Sequence, residues 1–115
     1  MLIAVSLSFL VALLHLYFMV LEMFLWTRPI GLKTFRNTPE KAAITRVLAA
    51  NQGLYNGFLA AGLLWGLLSQ QWNVVVFFLV CVVVAALYGA YSVSRRIFFV
   101  QGIPAVAALA AIFFG

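Results

Sequence analysis

From Val74 to Ser92 the chain passes about 19 residues with no charged side chain, through Val-Val-Val-Phe-Phe-Leu-Val-Cys-Val-Val-Val-Ala-Ala-Leu. At about 1.5 Å per residue, a helix of that length crosses the ~30 Å hydrocarbon core of a bilayer. The β-branched content would suit a strand, but strands are usually only about 3–10 residues long. Three comparable apolar stretches occur, over about 2–26, 41–68 and 97–115. The whole chain is 67% hydrophobic and 8% charged, against about 25% charged in ordinary soluble domains. So little polar surface cannot cover a soluble domain of 115 residues. The predicted fold is therefore all-α, an integral membrane four-helix bundle forming one domain over 1–115, with spans at about 2–26, 41–68, 74–92 and 97–115.

The connections support this division. The first stretch lacks the basic leading region of a secretory signal, and no A-x-A site follows a short apolar core, so it is read as a retained helix. Thr27–Glu40 reads as a basic loop with Arg28, Pro29, Gly31, Lys33, Arg36 and Pro39. At its end Thr38-Pro39-Glu40 has the pattern of a helix start: a hydroxyl cap, proline at the first helical position, and a carboxylate at the positive end of the dipole. Ser69–Asn73 is a short uncharged turn, and Val93–Arg96 turns the chain again. Gly102 and Pro104 weaken the backbone ladder of the last helix and are expected to kink it.

Charge is distributed by side. All seven Lys and Arg residues lie in loops one and three or in the adjoining first turns of the second helix. The positive-inside rule then makes those loops cytoplasmic and places both termini outside, in a bacterial inner membrane. Trp26 and Trp72 fall at opposite interfaces, where an amphipathic indole is favoured. The formal charge of +5 is thus a topology signal, and no nucleic-acid partner is expected. Membrane lipids are. A single cysteine, Cys81, excludes an intrachain disulfide and reads as a small apolar residue.

Polar groups inside the apolar stretches are the candidates for function, because hydrocarbon gives them no partners. On the first helix Ser8, His15 and Glu22 are spaced by seven and share one stripe, with Trp26 extending it. Glu22 is the only carboxylate inside a span, so it should be paired, hydrated or protonated; lying ~6 Å from Trp26, it is also within reach of interfacial water. His15 sits near mid-span and reads either as a satisfied core histidine or as a proton-handling group. The second helix carries Leu48-Ala49-Ala50-Asn51-Gln52-Gly53-Leu54-Tyr55-Asn56-Gly57. Asn51, Tyr55, Gln52 and Asn56 occupy an arc of ~140°, and Ala49, Ala60, Gly53 and Gly57 the next ~80°. The polar arc is expected to face the interior. Gly53-x-x-x-Gly57 and Gly62-x-x-x-Gly66 permit close helix approach, within the protomer or in a homodimer. By depth Gln101, Tyr88, Tyr91 and Ser92 lie toward the same side as Glu22.

Leu21-Glu22-Met23-Phe24-Leu25-Trp26, the Leu48–Gly57 motif, and Val93-Ser94-Arg95-Arg96 leading to Val100-Gln101-Gly102 together resemble the bacterial family catalogued as domain of unknown function 1304. The likeness spans nearly the whole chain and implies a small four-span membrane protein, with no activity attached. Small multidrug resistance transporters are similar in length, span count and an intramembrane Glu on the first helix, but their carboxylate lies near mid-span and their loops lack this one-sided charge. The sterol isomerase group is similar only in residue types.

Two explanations of the polar residues compete. They can form a network that fixes helix register, each bond contributing about 0.6 kcal/mol on average. Their number and variety favour instead a pocket that binds or moves a small, largely apolar molecule. Glu22 and His15 would then handle charge or a proton, Asn51, Gln52, Asn56 and Gln101 would supply hydrogen bonds, and Tyr55 and Tyr88 would wall the site. A membrane enzyme with His15 or Glu22 as acid or base and a structural or assembly subunit are the alternatives. No metal and no cofactor are expected, since one imidazole and one carboxylate at this spacing make a poor ligand set.

Overall fold

A computed structural model describes all residues, 1–115. Five helices form and no strand: α1 (Leu2–Phe24), α2 (Pro29–Thr34), α3 (Pro39–Leu68), α4 (Trp72–Ser92) and α5 (Arg95–Phe114). Three of them, α1, α4 and α5, are long and apolar enough to cross a membrane. The remaining expected span coincides with α3, whose 30 residues measure about 45 Å at ~1.5 Å per residue. Its length suffices, but Asn51, Gln52 and Asn56 dilute its apolar character, so composition alone does not mark it as a span.

The helix ends follow local chemistry. Thr38 caps α3, its Oγ1 accepting from the Lys41 N–H at 3.3 Å, and Pro39 takes the first helical position, where its missing N–H costs nothing. Ser94 caps α5 in the same way, accepting from the Arg96 N–H at 3.2 Å. At the far end of α3, Gln71 N–H donates to the Gly66 carbonyl and Gln70 N–H to that of Leu67. That pair of bonds is a Schellman closure, and Gln70 adopts the left-handed conformation it needs, φ 57°. Arg36 does the same after α2, at φ 52°.

Two elements depart from the sequence expectation. The Thr27–Glu40 stretch, expected as loop, contains the single-turn-and-a-half helix α2. Six residues are too few to show a hydrophobic period, and α2 is held from outside: Gly31 lies against the Leu25 backbone carbonyl, where a Cβ would not fit. In α5 the expected irregularity takes the form of a π-helical segment, Phe98–Gly102. Pro104 has no N–H for the Val100 carbonyl, and its ring crowds that oxygen; the wider turn accommodates both.

The chain divides into two compact units, Met1–Leu14 with Leu59–Gly115, and His15–Phe58. In the first, Val11 and Ala12 of α1, Leu63 of α3, Val75, Leu79 and Val82 of α4, and Ala105 and Ala108 of α5 form one apolar core. The 75, 79, 82 spacing puts three side chains of α4 on one face. Gly62 receives the Phe78 ring, and Gly66 lies against Val75, so this small-xxx-small pair packs helices within the chain. Gly102 of the π segment similarly admits Ala86 of α4, at 3.2 Å from an ideal Cβ.

In the second unit the C-terminal part of α1 pairs with the N-terminal part of α3. Met19 lies against Gly57 and Gly53, Met23 against Gly53, Glu22 meets Asn56 and Trp26 meets Thr45. Rising numbers on α1 meet falling numbers on α3, so the pair is antiparallel. Ala42, Ala49 and Gly53 are buried along the contact. The small-residue arc of α3 is therefore its packing face, while Leu54 and Phe58 point outward.

Candidate functional site

Glycine makes this site possible. Without a side chain at Gly53 or Gly57, α3 comes close enough for Glu22 of α1 to reach across. The Asn56 side-chain amide donates to Glu22 Oε1. Both residues are half-buried, and the bond joins two helices separated by 34 positions in sequence. A carboxylate on a membrane-length helix thus has a designated protein donor, as the cost of leaving it unpaired in hydrocarbon requires.

Just beyond the last turn of α1 the chain is tied down by Trp26. Its indole N–H donates to Thr45 Oγ1 at 3.2 Å, and Thr45 in turn donates to the Lys41 carbonyl at 2.7 Å. The Trp26 ring also lies 5.0 Å from that of Phe35, so it links α1, α3 and the segment after α2. Beside it opens a cleft of about 360 Å³ lined by Met23, Phe24, Trp26, Thr27, Arg28 and Arg46. Arg46 reaches it because it stands seven residues before Gly53, which returns it to within ~20° of the α3 face that meets α1.

The other expected site residues are placed differently. Asn51 is exposed and turns back on its own helix, its amide donating to the Val47 carbonyl at 3.0 Å. Gln52 is exposed, and Tyr55 is 58% exposed with its ring edge-on to Phe58. On α3 the polar arc therefore starts at the α1 contact, with Asn56, and continues round to the outside. The expected common interior for all of these groups is realised at the Glu22–Asn56 contact alone. The physical reason is that the neighbouring small-residue arc packs more closely and takes the buried face.

His15 is 1% exposed and packs edge-on against Phe18, ring centroids 5.7 Å apart. Seven residues, or about 10 Å of helix axis, separate it from Glu22, which assigns it to the packed core of its unit. Ser8, on the same stripe of α1 in the other unit, is buried with no hydrogen-bond partner for its hydroxyl. Tyr88 and Gln101 also belong to that other unit. Tyr88 is 70% exposed, and its carbonyl accepts from Ser92 Oγ; Gln101 is half-buried within the π segment. No group of three or more His, Cys, Asp or Glu side chains is placed to hold a metal ion. Sequence reasoning missed Thr45 and the Arg28–Arg46 juxtaposition. The heptad step from Gly53 back to Arg46 was the available signal for the latter.

Long apolar helices joined by short polar turns, with a carboxylate–carboxamide pair between two of them, define a small helical protein of membrane type. The chain belongs to the DUF1304 family of proteins of unknown function, whose profile matches residues 9–113. It is similar to the uncharacterized protein YpaA of Lactococcus lactis subsp. lactis (strain IL1403), at 34% identity over 114 residues, covering 96% of each chain. No solved structure matches.

Proposed function

We propose that the chain is a four-span protein of the bacterial inner membrane, with basic loops cytoplasmic and both termini outside, that binds or moves a small, largely apolar molecule bearing a hydrogen-bond donor. The observation that carries this reading is the Glu22–Asn56 contact. Asn56 engages Oε1, so the second carboxylate oxygen can accept from a ligand. Gln52 and Tyr55, next along the polar arc of α3 and exposed on the chain's outer surface, would supply further polar contacts. An apolar molecule approaching from the bilayer would exchange lipid contacts for similar ones while its polar end found partners hydrocarbon lacks.

Native mass spectrometry of the detergent-solubilised protein with dodecylamine tests the reading. Saturable binding that weakens at least tenfold in Glu22→Gln, with the melting temperature unchanged, is expected. Equal binding by both proteins refutes it.

The outward carboxamides of Asn51 and Gln52 favour a second reading, an assembly subunit. Each amide is both donor and acceptor, so two copies of this face are self-complementary about a two-fold axis. Glu22→Gln would then act on stability alone, and Asn51→Leu/Gln52→Leu would change the oligomeric state.

A further inference from the structure

The cleft at the end of α1 combines two kinds of wall. Most of its lining is polar, with Thr27, Arg28 and Arg46 bringing a hydroxyl and two guanidiniums, and Met23, Phe24 and Trp26 add a smaller apolar margin. No hydrogen bond or ion pair within the chain engages either guanidinium. The chain has only two carboxylates against seven Lys and Arg, and neither Glu22 nor Glu40 lines the cleft. The C-terminal end of α1 contributes roughly −0.5 of an elementary charge nearby, which two full positive charges outweigh. The volume of about 360 Å³ falls at the lower end of the ~300–1,000 Å³ range of small-molecule sites.

We infer that this cleft binds a phosphate ester, presented by the headgroup of an anionic phospholipid. Guanidinium matches the phosphate oxygens with paired donors. A soluble phosphate would need only the cations; a lipid would also meet Phe24, which stands 67% exposed at the rim. Met23 and Phe24 are the last two residues of the membrane-length helix α1, where the glycerol backbone and the first methylenes of an acyl chain would run, while Trp26 just beyond marks the interface. Basic pockets at helix ends bind anionic headgroups for these reasons. The site differs from the Glu22–Asn56 contact in its residues and in its ligand, so each can fail without the other.

The test uses the full chain in detergent micelles, in a W65F/W72F background that leaves Trp26 as the sole indole. Brominated phosphatidylglycerol and brominated phosphatidylcholine are titrated separately, and Trp26 quenching is read. Saturable quenching by phosphatidylglycerol, at concentrations at least tenfold below those needed for phosphatidylcholine, is expected. R28Q/R46Q should weaken it roughly thirty-fold. K33Q/R36Q, which removes the same charge from the neighbouring segment outside the cleft, should weaken it less than threefold. Equal quenching by the two lipids, or equal losses in the two double variants, overturns the site, with helicity by circular dichroism confirming that each variant is folded. Competition by sn-glycerol 1-phosphate at the lipid's own concentration overturns the lipid as the source of the ester.

Discussion

Gly53 and Gly57 are four residues apart on one face of α3, and both approach α1, yet the structure predicts opposite responses to the same substitution. An ideal Cβ on Gly53 would stand 2.6 Å from Met23 Cγ, 3.1 Å from Glu22 Cβ and 3.1 Å from the Met19 carbonyl oxygen. Two of those three atoms are backbone or adjoin it, so α1 itself must move. Overpacking of this kind costs about 1–3 kcal/mol, offset by the roughly 1 kcal/mol helix preference of Ala over Gly. Gly53→Ala should therefore destabilise the protein by about 1 kcal/mol, and by at most about 2 kcal/mol. A Cβ on Gly57 would meet only Met19, 2.7 Å from Sδ and 3.6 Å from Cγ. An unbranched thioether re-orients readily, so Gly57→Ala should be neutral or stabilising by up to about 0.5 kcal/mol. The gap of about 1–1.5 kcal/mol is a factor of roughly 10 in the unfolding equilibrium. Reversible unfolding by sodium dodecyl sulfate in mixed micelles, followed by far-ultraviolet circular dichroism, measures it. Responses equal within about 0.5 kcal/mol would show that the close approach of α1 and α3 is misassigned.

A double-mutant cycle of Glu22→Ala and Asn56→Ala, read in the same unfolding assay, should give a coupling of about 0.6–1 kcal/mol. Interhelical bonds in membranes average about 0.6 kcal/mol and reach about 1.7; additivity within about 0.3 kcal/mol would mean that the contact contributes nothing. Gln70→Gly should raise stability by about 0.5 kcal/mol, because glycine removes a left-handed penalty of about 1 kcal/mol or more but adds freedom to the unfolded chain. A fall in the unfolding midpoint would contradict the Schellman closure of α3.

Some of this architecture is written in the sequence because the bilayer imposes it on any chain. Apolar stretches of membrane length, the cap at Thr38 and the break ahead of Pro104 depend on backbone chemistry within a few residues, and each was legible there. The 3.6-residue period also separated the small arc of α3 from its polar arc. It could not say which arc would be buried, since both would gain from leaving hydrocarbon. Packing decided that: Gly53 and Ala49 let α1 come near, and this turned Asn51, Gln52 and Tyr55 outward. Only Asn56, at the border of the two arcs, reaches Glu22. The helix α2, the Trp26–Thr45 bond and the meeting of Arg28 with Arg46 likewise required tertiary structure, because each joins residues whose local sequence carries no mark of the partner. A helix period fixes where a side chain points about its own axis; which neighbour stands there is set by how closely two helices can approach.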